Sequence, residues 1–224
     1  MHNSLDNLIE IQKEIQLKIA QSNNSIKLPK IIAVTKTHAM TDILPLINQG
    51  HLDYGENKIQ EAMEKWESIK SDFSHLNLHM IGKLQSNKVK QAISLFDYIH
   101  SLDSLKLAEK ISNEQVKQNK NVKLFIQVNI GEEAQKSGVM ISNVDKFYKT
   151  CINDLGLTII GFMCLPPNDA KVSSYFSQMK NLKIDSGLKE LSMGMSNDYL
   201  EAIKFDSTYL RIGSKIFGQR TNLF

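Results

Sequence analysis

Ile31-Ile32-Ala33-Val34-Thr35-Lys36-Thr37-His38 opens with a compact apolar run and leaves it through a polar, cationic exit. A run this short and β-branched reads as a buried strand. The amphipathic stretch that follows, over 42–48, reads as a helix, and the same unit then repeats to the C-terminus. Strands are expected at 31–34, 52–54, 78–81, 98–99, 122–128, 157–162, 190–192 and 209–212. Helices are expected at 42–48, 58–69, 87–95, 104–118, 144–152, 170–182 and 197–203, with a short final helix near Ser214. Strand–helix alternation implies parallel strands with crossover helices, hence an α/β fold. Eight such units fit a closed barrel better than an open doubly wound sheet. The expectation is a single (β/α)₈ TIM barrel over residues 1–224, preceded by an extra helix at about 3–22.

That first helix carries Leu5, Leu8, Ile9, Ile15, Leu17 and Ile19 in a helical pattern, with Ile11 read as out of step. Ser22-Asn23-Asn24-Ser25 makes a polar break after it. No continuous apolar stretch suits a signal peptide or a membrane span, so no membrane is expected. The net charge is +3, and the 27 Lys and Arg residues form no long basic run, so nucleic acid is not implied. The only cysteines, Cys151 and Cys164, have neither disulfide-framework nor zinc spacing, which fits a reducing cytoplasm. The 4 prolines are read as lying at turns.

Lys36 stands immediately after the first strand, at the mouth where barrel enzymes place their chemistry. Its flexible, titratable amine suits Schiff-base formation where the surroundings favour the neutral form; the bland alternative is a solvated lysine ending a strand. Ser192-Met193-Gly194-Met195-Ser196 and Leu210-Arg211-Ile212-Gly213-Ser214 each lead from a late strand into a helix start. Helix N-termini offer unpaired N–H groups, and barrels frequently bind phosphate after strands seven and eight. The alternative is a pair of ordinary capping serines. Arg211 either pairs with a carboxylate or donates to a ligand; Asn57 either caps the next helix or touches a ligand. The polar loop His79-Met80-Ile81-Gly82-Lys83-Leu84-Gln85-Ser86-Asn87-Lys88 is functional, or simply caps its helix with Ser86 or Asn87. The 6 histidines form no HExxH or HxH pair, so no metal site is expected. Met163, Met193 and Met195 read as core or pocket lining.

Taken in order and spacing, these segments resemble the pyridoxal phosphate homeostasis (YggS/PROSC-like) protein family. The landmarks are Ala33-Val34-Thr35-Lys36, Tyr54-Gly55-Glu56-Asn57 with Gln60-Glu61, and the loop from His79 to Lys88. They continue through Val128-Asn129-Ile130, Lys136-Ser137-Gly138-Val139, Gly161-Phe162-Met163-Cys164-Leu165-Pro166-Pro167 and Leu191-Ser192-Met193-Gly194-Met195-Ser196. The last runs from Arg211 through Gly213-Ser214 to Gln219-Arg220. That family is similar to the barrel domain of alanine racemase. The resemblance implies pyridoxal 5'-phosphate carried on Lys36 as an internal aldimine, with Asn57 beside it and Met193 lining the pocket. It implies Arg211 facing the pyridine nitrogen, and Ser196, Gly213 and Ser214 holding the phosphate. A guanidinium there would disfavour ring protonation and weaken the cofactor as an electron sink. The family usually shows other residues where Leu78, Thr35, His38-Ala39 and Lys83 stand, and the first three of these departures are expected at the pocket rim at most.

The resemblance implies intracellular homeostasis of vitamin B6, by buffering or delivery of the cofactor to recipient apo-enzymes, with no established catalytic residue. The alternative is a pyridoxal phosphate-dependent amino-acid racemase. Racemisation needs one proton removed and another returned across the Cα. In racemases a tyrosine from an added C-terminal domain supplies one base; this sequence ends at Phe224, and no second base is evident beside Lys36. A monomer is the default expectation.

Overall fold

The computed structural model describes residues 3–22 and 26–218. Eight parallel strands close into a barrel: β1 (Lys30–Val34), β2 (Asp53–Glu56), β3 (Asn77–Met80), β4 (Tyr98–Leu102), β5 (Lys123–Asn129), β7 (Ile159–Cys164), β8 (Glu190–Met195) and β9 (Tyr209–Ile212). The β1–β9 pairing, with Ile32 opposite Arg211, and the β4–β5 pairing leave no free edge among these eight. One further strand, β6 (Val139–Met140), pairs with the end of β5 and was not expected from the sequence.

The strands are buried on both faces, as a parallel barrel wrapped in helices requires. Ile32, Tyr98, Phe125, Met163 and Tyr209 come from five different strands and pack together, so they meet across the lumen. Their neighbours Ile31, Ala33, Leu124, Ile126, Phe162, Leu191 and Leu210 belong to the larger cluster under the helices. The period-two alternation of strand side chains thus divides each strand between lumen and outer layer.

The outer helices are α2 (Met40–Asn48), α3 (Ile59–Asp72), α4 (Val89–Leu95), α5 (Leu105–Gln118), α6 (Val144–Lys149), α7 (Val172–Ser186), α8 (Tyr199–Lys204) and α9 (Ser214–Phe217). Because α9 is a single turn, it covers little of β9 and β1. The N-terminal helix α1 (Ser4–Ala20) packs on α2, α8 and α9 at this place. It buries Leu8, Ile11 and Ile15, so Ile11 is in step with the buried face, while Leu17 is the exposed residue. Asn3 caps it by accepting from the Leu5 amide at 3.2 Å. Glu14 ties it to the C-terminal region, accepting from Lys215 Nζ at 2.6 Å and from the Tyr199 hydroxyl.

Several expectations need correction. Pro45 lies inside α2 rather than at a turn; the missing N–H falls opposite exposed Thr41, where water can serve the carbonyl. The expected helix at 144–152 is α6 followed by a π turn over Thr150–Asp154. β4 runs three residues past its expected end, through His100 and Ser101 to Leu102, because both polar residues are buried inside the strand. Leu78, in the main cluster, and Thr35 are both fully buried, which stays within the expectation that these departures reach a pocket rim at most. Residues 23–25 and the Gln219-Arg220 landmark lie outside the described residues.

Candidate cofactor site

A cleft of about 700 Å³ opens at the C-terminal ends of the strands. That volume suits a small cofactor. Lys36, Thr37 and His38 enter it after β1, Asn57 after β2 and Ile81 after β3. The segment from Leu165 to Asp169 enters after β7, Met195 to Asp198 after β8, and Gly213 and Ser214 after β9, while Arg211 reaches it from β9 itself. Six of the seven residues singled out in the sequence therefore line one cavity: Lys36, Asn57, Ser196, Arg211, Gly213 and Ser214. Met193 does not. It is fully buried in the main apolar cluster, because alternation along β8 turns Ser192 into the lumen and Met193 outward under the helices. Met195, beyond the irregular register between Ser192 and Met195, takes the lining position.

The segment carrying Lys36 is pinned from both sides. Thr35 Oγ1 donates to Glu56 Oε1 at 2.7 Å, and its carbonyl accepts from Lys65 Nζ at 2.8 Å. Glu56 is fully buried and the same oxygen also accepts from Lys65 Nζ and Trp66 Nε1, each at 2.9 Å. Thr37 sits in the left-handed region at φ +66°, a strained conformation for a β-branched residue. Its amide donates to Glu61 Oε1, which also accepts from Lys65 Nζ at 3.1 Å. His38 stacks on Phe217 at 4.7 Å, and burial is the main cause holding its imidazole below the ordinary histidine value.

Asn57 is not a cap: Lys58 occupies that position of α3, without a side-chain capping bond. What fixes Asn57 is Gly82. A Cβ added at Gly82 would lie 2.7 Å from the Asn57 Cα, so only glycine lets the two segments approach this closely. Ser86 and Asn87 begin a 3₁₀ turn before α4 and make no side-chain cap.

The two C-terminal segments meet, since Ser196 Oγ accepts from the Lys215 amide at 3.3 Å. Neither Ser196 nor Ser214 stands at a helix N-cap; those positions belong to Asp198 and Gly213. Arg211 Nη1 donates to the Ser192 carbonyl at 2.5 Å and to Ser192 Oγ at 2.6 Å, and Nη2 donates to the Cys164 carbonyl at 2.8 Å. It makes no carboxylate salt bridge among the described residues, so its charge is held by oxygen dipoles. Burial depresses the guanidinium from its ordinary value, yet arginine stays charged. Burial also pushes the Cys164 thiol up to about 12, which removes it as a nucleophile.

The donor set fits pyridoxal phosphate: an amine for an aldehyde, hydroxyls and backbone N–H groups for a phosphate, and a guanidinium beside them. The whole-chain comparisons agree. The family model for the N-terminal domain of alanine racemase matches residues 12–221. A pyridoxal phosphate homeostasis protein from Pasteurella multocida is 34% identical, covering 96% of each chain. One from Aquifex aeolicus is 33% identical over 97% of this chain and 99% of its own.

This chain belongs to the pyridoxal phosphate homeostasis protein family.

Solved structures place this family member beside PipY of Synechococcus elongatus PCC7942. Without PLP, PipY superposes with a TM-score of 0.83 at 29% identity, covering 95% of this chain and 99% of PipY. Its PLP-bound form gives 0.80 at 29% identity. Alanine racemase of Clostridium difficile shares the barrel, with a TM-score of 0.72 at 13% identity over 99% of this chain and 57% of the racemase.

The sequence reading missed the buried ties that hold the site. Thr35, Glu56, Lys65 and Trp66 form one cluster, and a polar chain runs through the lumen from Arg211 to Asp53. The excess of polar residues in β2 and β4 is the only sequence signal for either.

Proposed function

We propose that the cleft binds pyridoxal 5'-phosphate and that the protein serves intracellular vitamin B6 homeostasis by buffering or delivering the cofactor. The observation that carries this reading is the convergence of Lys36, Asn57, Arg211, Ser196, Gly213 and Ser214 on one cavity. Bound pyridoxal phosphate supplies an aldehyde that condenses with a lysine amine, releasing water. Lys36 is the attachment point, on a segment fixed by the Thr35–Glu56 bond and the Thr37–Glu61 bond. Ser196, Gly213 and Ser214 hold the phosphate, and Asn57 lies beside the ring. Arg211 faces the ring nitrogen and keeps it unprotonated, because a fixed cation beside it opposes a second positive charge. The PLP-bound PipY relative supports the choice of ligand.

A cofactor held this way is restrained as an electron sink, which suits storage and transfer rather than turnover. Racemisation draws no support from the racemase neighbours, whose likeness is one of fold. No helix among the described residues is long and apolar enough to cross a membrane. The proposed setting is the cytoplasm, as a monomer that hands the cofactor to apo-enzymes. The test is an absorbance titration with pyridoxal phosphate, followed by mixing the loaded protein with an apo-enzyme and assaying both activation and amino-acid racemisation. Binding with transfer and no racemisation supports the reading; absence of binding, or turnover abolished by Lys36→Ala, overturns it.

A further inference from the structure

The lumen of the barrel is not wholly apolar. Asp53 on β2, His79 on β3, His100 on β4 and Ser192 on β8 form a continuous hydrogen-bonded chain that ends on Arg211. The links are 3.0 Å from Asp53 Oδ1 to His79 Nε2 and 2.9 Å from His79 Nδ1 to His100 Nε2. His100 Nδ1 lies 2.9 Å from Ser192 Oγ, which lies 2.6 Å from Arg211 Nη1. Both imidazoles are fully buried and stacked, His79 on Tyr98 at 4.3 Å and His100 on Phe125 at 4.2 Å. The far end, Asp53, lines a separate cleft of about 440 Å³ between α1 and the start of the barrel.

The chain can run only one way. Arg211 can donate but never accept, so Ser192 Oγ is the acceptor at that end. An ionised Asp53 can accept but never donate, so His79 Nε2 carries a proton. Burial works against the Asp53 charge, but the His79 hydrogen bond and the surrounding cationic groups, Lys30 among them, together outweigh it and keep the carboxyl below its ordinary range. Desolvation holds both histidines neutral. A neutral His79 with a proton on Nε2 must accept at Nδ1, which puts the His100 proton on Nε2. His100 Nδ1 must then accept from the Ser192 hydroxyl. Every donor has one acceptor, and Ser192 has its lone pairs left for Arg211.

We propose that Ser192 and His100 are positioning residues: this one-way chain, anchored on Asp53, aims the Arg211 guanidinium into the cofactor cleft. The inference rests on the reading that the cleft takes pyridoxal phosphate. A serine alone could rotate its hydroxyl and turn its hydrogen elsewhere within the buried lumen. His100 commits that hydrogen, so the oxygen faces Arg211. The guanidinium is thereby held without a carboxylate that would neutralise it, and its full charge is presented to the ring nitrogen.

Histidine ¹⁵N NMR of the unloaded protein tests the chain directly, with both His79 and His100 expected as Nε2–H neutral tautomers. Pyridoxal phosphate titration then tests positioning. His100→Phe keeps the stack on Phe125 but breaks the chain. It is expected to weaken binding on the order of tenfold and to shift the absorbance maximum of the bound cofactor. Ser192→Ala is expected to do the same, while His100→Gln, which can donate to His79 and accept from Ser192, restores both readings. An Nδ1–H tautomer at either residue, or unchanged affinity and spectrum in Ser192→Ala and His100→Phe, overturns the inference. Failure of the wild type itself to bind would overturn the reading of the cleft, and with it the role given to Arg211. A normal wild type beside unaltered variants overturns positioning alone.

Discussion

Thr35 Oγ1 donates to Glu56 Oε1 at 2.7 Å, and through that bond the residue before Lys36 is fastened to a fully buried carboxylate. One oxygen of Glu56 gathers three donors: the Thr35 hydroxyl, the Lys65 ammonium and the Trp66 indole. The Lys65 side chain is only 10% exposed, so both charges depend on each other. Glu56→Ala is expected to destabilise the protein by roughly 1–3 kcal/mol for each buried donor it deprives of its acceptor, the Thr35 hydroxyl and the Trp66 indole, while Lys65 keeps Glu61 as a partner. Glu56→Gln keeps an acceptor for Thr35 and Trp66 and should cost less. Urea unfolding of the two variants gives the comparison, and equal losses would show that the acceptor oxygen contributes nothing beyond the charge, which both variants remove.

Gly82→Ala is expected to displace Asn57. The added methyl group meets Asn57 backbone rather than a flexible side chain, so relief requires one loop to move. Overpacking of this kind costs about 1–3 kcal/mol. The expected result is weaker pyridoxal phosphate binding together with a lowered unfolding midpoint; full binding in a stable variant would remove Asn57 from the site.

Much of this arrangement is legible in the sequence, and the reasons for the rest are physical. Strand β1 with Lys36, and the glycine–serine exits from β8 and β9, announce themselves because they combine an apolar run with an abrupt change of chemistry. The second half of β4 does not, since His100 and Ser101 look like loop residues until they are seen buried in a polar lumen. Met193 misleads because its facing depends on strand parity near an irregular register, which composition does not reveal. Glu56 and Lys65 are nine residues apart on different elements, and their ion pair exists only once β2 and α3 are docked.

Ser196→Ala is expected to separate phosphate recognition from the rest of the site. Losing one hydrogen bond to a charged group weakens binding by about 1.5–3 kcal/mol, roughly 10–150-fold. The loss should appear with pyridoxal phosphate and not with pyridoxal, which lacks the phosphate. Equal loss with both ligands would place the phosphate elsewhere.

Stability is expected to fall on acidification. His51, His79 and His100 are all held below the ordinary value of 6.5, chiefly by burial. Below that pH the unfolded chain takes up protons that the folded barrel refuses, so acid favours unfolding. The stability is present above about pH 6.5 and is lost progressively below it. Asp53 acts in the same direction further down, as the pH falls below its unfolded value of 3.8. Urea midpoints that stay level or rise between pH 7 and pH 5 would contradict this.

The attachment of the cofactor to Lys36 is tested most directly by reducing the pyridoxal phosphate-loaded protein with borohydride and mapping the modified peptide by mass spectrometry. The expected result is a pyridoxyl label on Lys36, absent from Lys36→Ala. A label carried by another lysine in the wild type, or retained undiminished in Lys36→Ala, would contradict the account.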